Sequence, residues 1–342
     1  MGKITIVQIT NKKEWEEFLL KNEEANFLQS WYWGEFHESL GKKIYRSGFY
    51  EDNLLIGVML SIIEPAKRGK YLTVPGGPII NWNKKNIESC FVEEARRIAK
   101  LEKCIFVRVR PQLLENEESL HKFGKLGFVH APTHLHAQLT SQLDITKSEE
   151  ELLINMRKAT RYEVKKAEKI GVRVTTSTDT NLLKEFFDLQ IETSKRQGFV
   201  PFSYNFLKNQ FEIFAKKKLA LLYRAEFEKK VLAEAFIIFY NNEAVYHYGA
   251  STDEGRKYPG AYLIQWEAIK EAKRRNIKRY NFWGVSPVGN ENHRFAGLSL
   301  FKRGFGGEDV NYLRAHDLII NKPRYLLNSM IETMREKMRR LK

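Results

Sequence analysis

The sequence predicts an α/β fold of the α+β kind, built as two units in which mixed sheets are flanked by helices. Three observations predict it. At 342 residues the chain exceeds what one hydrophobic core comfortably supports. Its apolar patterning runs twice through the same order: a β-hairpin, a strand, a long helix and a further strand. Its apolar content of 43% and charged content of 29% are those of a folded chain and not of a disordered or fibrous one. The division is placed after Asp144, giving domains 1–144 and 145–342.

Residues 11–21 read as a short helix, with Trp15, Phe18 and Leu19 at helical spacing. The aromatic run around Trp31 and Trp33 follows Ser30, which reads as a helix N-cap. Two readings stand for it: rings packed in the core, or Gln29 and Trp33 lining a groove. Residues 44–50 and 54–63 form a hairpin turning at Glu51-Asp52-Asn53. Residues 71–74 are a strand ending at the loop signal Pro75-Gly76-Gly77-Pro78. Then come a helix at 84–101, a strand at 104–108, a helix at 115–124 and a strand at 137–143 that closes the first unit. His130, His134 and His136 lack a fourth ligand at metal spacing and read as loop residues, so no metal site is expected.

The second unit opens with a helical segment from 149 that continues through 155–169. Strand 172–176 and helices 179–195 and 204–217 follow. The second hairpin, 219–227 with 230–240, turns at Glu228-Lys229. Strand 244–251, helix 261–275 and strand 278–283 repeat the first unit's plan. A basic amphipathic helix, 322–341, ends the sequence with Leu326, Met330 and Met334 on one side. This doubled order is that of the GNAT acyltransferase superfamily, twice over.

Lys plus Arg number 57 against 42 Asp plus Glu, a net charge of +15. Such an excess fits polyanionic partners or a lysine-rich surface without a partner. The two cysteines, Cys90 and Cys104, exclude a disulfide framework. No apolar leader or membrane-spanning run is visible, so a cytoplasmic protein is expected.

Two stretches carry chemistry. Arg157, Arg161, Lys165 and Lys169 fall at four-residue steps, which on one helix makes a cationic stripe. It reads either as a track for nucleic-acid phosphates or as a solvated face. The stretch 296–307, Ala-Gly-Leu-Ser-Leu-Phe-Lys-Arg-Gly-Phe-Gly-Gly, reads as a strand with Phe301 and Lys302 on opposite faces. In that reading Lys302 points into a cleft; the alternative is a surface Lys-Arg pair beside a glycine turn. Arg303 has no assigned role.

Taken together, Leu28-Gln29-Ser30 with Trp33, the basic run at 156–171, Tyr246-His-Tyr-Gly-Ala-Ser251, Tyr280-Asn-Phe-Trp-Gly284 and Phe301-Lys-Arg-Gly-Phe-Gly-Gly307 resemble the FemABX family. These are the aminoacyl-tRNA-dependent transferases of peptidoglycan cross-bridge synthesis. The resemblance runs from about residue 26 to 310 and implies two GNAT-like domains in a short form without a helical arm. It implies transfer of an amino acid from aminoacyl-tRNA, as co-substrate and without other cofactor, to an amine of a cell-wall precursor stem peptide. Phe301 and Lys302 match the family's catalytic-lysine motif, and Tyr248 its precursor-contacting tyrosine. Trp33, Gln29, His37 and Tyr246 are expected to line the precursor site, and Arg157, Arg161, Lys165 and Lys169 to meet the tRNA. A monomer with contact at the inner face of a membrane is the expected setting.

The chain departs from the family's better-known pattern at His37 and Phe202, where cations that bind a nucleotide-linked precursor would stand. It departs again at Asn281, where an aspartate is usual. A CoA-dependent N-acyltransferase and a non-enzymatic RNA-binding protein are the alternatives. The first needs a pyrophosphate loop, for which Arg256-Lys-Tyr-Pro-Gly-Ala261 is a partial match. The second lacks any RRM, KH or zinc-knuckle motif.

Overall fold

A computed structural model of the protein describes residues 3–340, without the side chains at positions 256, 336, 337, 339 and 340. The end of the expected C-terminal helix, at 341, lies outside the described residues, as do the first two residues.

The chain forms two compact units, Met1–Gln138 with Asn311–Lys342, and Leu139–Val310. In chain order the first holds β1 (Ile4–Gln8), α1 (Lys12–Leu20), α2 (Trp31–Ser39), β2 (Ile44–Glu51), β3 (Leu54–Ala66), β4 (Gly69–Pro75), β5 (Ile79–Ile80), α3 (Ile87–Leu101), β6 (Cys104–Arg110), α4 (Glu117–Lys125) and β7 (Phe128–His130). The second holds β8 (Leu139–Asp144), α5 (Glu149–Asn155), α6 (Lys158–Ile170), β9 (Arg173–Ser177), α7 (Leu183–Gln197), α8 (Tyr204–Ala215), β10 (Ala220–Phe227), β11 (Lys230–Tyr240), β12 (Glu243–Ser251), α9 (Gly260–Arg274), β13 (Arg279–Gly284), α10 (Ala296–Arg303) and β14 (Glu308–Asn311). β15 (His316–Ile319) and α11 (Lys322–Arg340) return to the first.

Both predicted hairpins form where expected. Their turns carry consecutive residues at positive φ, Asp52 and Asn53 in one and Glu228 and Lys229 in the other, the backbone that matches the twist of paired strands. In each unit the hairpin is followed by a strand, a crossover helix and a parallel partner: β4 with β6, and β12 with β13. The crossover helices bury an apolar stripe, Ile87, Phe91, Ala95 and Ile98 on α3 and Ile264, Ala268, Ile269 and Ala272 on α9.

The first sheet has the order β1-β2-β3-β4-β6-β15-β7, with β5 beside β3; the second is β14-β8-β13-β12-β11-β10-β9. The observed division therefore differs from 1–144 and 145–342. β8 pairs with β13 in the second sheet, and the tail supplies β15 to the first, between β6 and β7. Pairing across about 200 residues leaves no local pattern for a sequence reading to detect.

Candidate active site in the second unit

The two parallel strand pairs differ in one respect. β4 and β6 stay paired to their ends, through Pro75↔Arg110. β12 and β13 pair over three positions, Glu243↔Arg279 to Val245↔Asn281, and then part. Each strand is irregular just past that point. β12 bulges at His247, because Ile237 opposes Tyr246 while its neighbour Phe236 opposes Tyr248. β13 slips register between Asn281 and Gly284, and Trp283 takes φ +65°, a conformation that a bulky residue adopts only when its surroundings enforce it. Here Asn281 enforces it: its Oδ1 accepts the Trp283 N–H at 2.8 Å while its Nδ2 donates to the buried Glu243 at 3.0 Å. An amide can do both; the aspartate usual in the family would lack the donor.

Lys302 belongs to this notch. The expected strand at 296–307 is a helix, α10, followed by a glycine turn. Its apolar residues mislead, because Leu298 and Leu300 are exposed whereas Ser299 and Lys302 are buried. Buried positions three apart are the mark of a helix, and here they are polar. Lys302 is 6% exposed. Its Nζ donates to Gly284 O at 2.7 Å and lies 5.7 Å from the centre of the Tyr246 ring. Removal from water lowers its pKa from the usual lysine value to about 7. Phe301 turns into the core, edge-on to Tyr262 and Phe305.

Several residues that the sequence reading missed hold α10 in place. Ser299 Oγ accepts the Ser286 N–H at 2.8 Å and lies 2.9 Å from the Ser286 hydroxyl. Arg303 acquires a structural role: it grips Asp309 through two nitrogens and donates to Ser286 O. Gly304 lets the turn press against α6, since a Cβ there would lie 2.2 Å from Thr160 Oγ1. Only the glycine and aromatic motifs around these residues gave any sequence signal.

The bulge at His247 separates two residues that were expected to act together. Tyr246 packs with the α9-side core and faces Lys302. Tyr248 lies on the α8 side, 5.6 Å from Phe202 and 5.8 Å from Phe236. Burial raises both phenols, Tyr246 to about 12, and lowers His247 to about 3. Phe202 thus places an aromatic beside Tyr248 where the family resemblance would put a cation.

The cationic stripe is not one helix. The chain is extended at Met156 and Arg157, and α6 starts at Lys158. Arg157, Lys165 and Lys169 are exposed. Arg161 folds back instead, its Nη1 donating to Ile154 O at 2.8 Å and Leu153 O at 3.3 Å. It thereby satisfies Ile154 O, left open at the end of α5, and shares Leu153 O with the Met156 N–H. Thr160, Val164 and Ala167 form the buried face.

Gln29, Trp33 and His37 belong to the first unit. Gln29 is fully buried; its amide donates to Pro75 O and Leu60 O and accepts Leu60 N–H, at 2.7, 3.2 and 2.8 Å. This is a clamp between strands rather than a groove wall. Ser30 caps α2 as expected. Trp33 packs among Phe27, Phe36 and His37 in the core. His37 is buried, and desolvation, reinforced by Lys42, lowers its pKa to about 3.

The FemAB family profile matches residues 10–231 and 223–333. Aminoacyltransferase FemA of Staphylococcus epidermidis is 24% identical, covering 84% of this chain and 88% of its own length. FemA of Staphylococcus aureus (strain MRSA252) is 21% identical over 95% and 98%. Among solved structures, FemX superposes with a TM-score of 0.86 at 20% identity, covering 94% of this chain and 99% of its own. A tandem GNAT protein from the clavulanic acid biosynthesis pathway superposes at 0.56 with 9% identity, over 93% and 99%. The notch, the lysine helix and the doubled fold are thus features of a chain that belongs to the FemAB family.

Proposed function

We propose that this protein is an aminoacyltransferase of peptidoglycan bridge formation, and that it moves an amino acid from aminoacyl-tRNA to an amine of a precursor stem peptide. The observation that carries the proposal is Lys302, buried at the edge of the opened β12/β13 notch in a FemAB-family unit.

The chemistry follows from that placement. The acceptor amine is itself the nucleophile. It attacks the ester carbonyl, and the tetrahedral intermediate carries an oxyanion until the ester C–O bond breaks and the tRNA hydroxyl leaves with a proton. An ammonium poorly solvated by water exerts a stronger field on that oxygen than an exposed one does. A well-placed donor of this kind contributes about 2.7–4 kcal/mol. Gly284 O and the α10 contacts hold Lys302 before substrate arrives, so little reorganisation is needed. Holding amine and ester together supplies much of the remainder. In this reading Lys165, Lys169 and Arg157 meet tRNA phosphates, Tyr246 contacts substrate beside Lys302 while Tyr248 serves a separate contact on the α8 side, and no further cofactor is required.

The CoA-dependent alternative needs free amides at the start of α9. Pro259 offers none, Gly260 N–H is given to Tyr258 O, and the Tyr262 and Leu263 amides go to Pro259 O. The test is incubation with mixed charged tRNAs and with UDP-linked or lipid-linked precursor, followed by mass spectrometry. The expected result is a precursor heavier by one aminoacyl residue with charged tRNA and none with acetyl-CoA. A product from acetyl-CoA alone would overturn the reading.

A further inference from the structure

Helix α11 is amphipathic in the reverse sense for a helix on a protein surface. The side that docks onto the first unit is largely polar, with the Tyr325 ring packed on Ile105 and Phe106. Tyr325 donates its hydroxyl to Asp317 at 3.1 Å, Asn328 accepts from Arg68 at 2.9 Å, and Glu332 accepts from Arg108 and Thr133, each at 3.0 Å. These positions are three and four apart and define one face. The opposite face carries Leu326, Leu327, Met330, Met334 and Met338, each more than half exposed. The unbranched methionine side chains adapt to a fluid partner. A run of large apolar residues turned to water marks a binding surface.

The charge around this stripe selects the partner. At 100° per residue, Lys322 falls along one border of the stripe and Arg324 and Arg335 along the other. Beside the start of α11 is a cavity of about 240 Å³ lined by Lys100, Lys103 and Arg324, with no carboxylate among its lining residues. No helix among the described residues is long and apolar enough to cross a membrane. An apolar stripe bordered by cations on an otherwise docked helix fits the plane of an anionic bilayer surface, with the side chains in the acyl boundary and the cations among phosphates.

We infer that α11 seats the first unit on anionic lipid, with Leu326, Met330 and Met334 entering the bilayer and the Lys100–Lys103–Arg324 cavity receiving a lipid phosphate. This surface is independent of the transfer reaction.

Vesicle flotation of the full chain tests it. Binding is expected to mixed phosphatidylglycerol–phosphatidylcholine vesicles, to weaken as salt is raised, and to be far lower on phosphatidylcholine alone. A triple variant, Leu326→Ser with Met330→Ser and Met334→Ser, leaves the docking residues intact and is expected to lose about tenfold or more in binding. Lys100→Glu with Lys103→Glu, which leaves the stripe itself unchanged, is expected to lose binding while keeping the thermal midpoint. Equal binding to both vesicle types, or unchanged binding by the triple variant, overturns the inference. So does a wild-type dimer that the triple variant converts to monomer without any vesicle binding, because the stripe would then be covered by a second copy.

Discussion

The ammonium nitrogen of Lys302 lies 2.7 Å from the carbonyl oxygen of Gly284, the residue at which β13 resumes its pairing with β8. Gly284 takes one of the ammonium's three donors, so backbone irregularity and cation are parts of one arrangement. Replacing Lys302 by Met removes the charge and keeps much of the stem. Transfer is expected to fall by about 100-fold or more, read as product per unit time with charged tRNA. Retained wild-type turnover would remove Lys302 from the reaction.

The same residue sets a pH dependence. With a pKa near 7 in the fold and near 10.4 unfolded, Lys302 binds fewer protons when folded between those values. Stability from this group is therefore lowest at and below pH 7, and rises by about 1.4 kcal/mol per pH unit until the unfolded chain also loses its proton. Lys302→Met should be more stable than wild type at pH 7, by roughly 2–4 kcal/mol, with the gain shrinking towards pH 10. Chemical denaturation at several pH values measures it.

His37 and His247 act in the acid range. Both are held near pKa 3 by burial, against about 6.5 unfolded. As pH falls from 6.5 towards 3, the unfolded chain takes up protons that the fold refuses. Each histidine then costs about 1.4 kcal/mol of stability per pH unit. His37→Gln should flatten the acid limb of the thermal midpoint by about half of their joint contribution.

On α6 the cations divide into two kinds. Lys165→Glu with Lys169→Glu should leave the fold intact, weaken tRNA binding and reduce the log–log salt slope by roughly 1 per lost phosphate contact. Arg161→Ala should instead cost about 0.5–1.5 kcal/mol of stability, because Ile154 O at the end of α5 loses its protein donor. Filter binding across a salt series and denaturant melts separate the two effects.

Gln29→Leu should destabilise by about 2–4 kcal/mol, since two buried carbonyls and one buried N–H lose their partner together. If Gln29 contacted substrate, the folded fraction would lose turnover; the expected result is lost stability with unchanged turnover per folded molecule.

The hairpins, and the order of strand, long helix and strand after each, were legible because local periodicity and turn chemistry specify them. Lys302 was legible as a residue but not its setting. α10 buries serine and lysine and exposes leucines, so apolar patterning pointed to a strand. The bulge at His247 was invisible too, and with it the separation of Tyr246 from Tyr248, because a single inserted residue leaves composition unchanged while reversing which face follows it. Arg161 was counted with the other cations because sequence spacing cannot reveal a side chain that turns back on its own backbone.

The position of β15 between β6 and β7 also orders events during synthesis. Leu139–Val310 is one continuous segment and can complete its sheet as soon as it has left the ribosome. The earlier-made unit cannot, because its sheet stays split, with the facing edges of β6 and β7 unpaired, until residues 316–319 emerge. Open strand edges are templates for wrong pairing, so the older half of the nascent chain is the more exposed to aggregation, and a chain that ends between residues 311 and 315 holds every strand of the second unit but lacks the β15 that joins the sheet of the first.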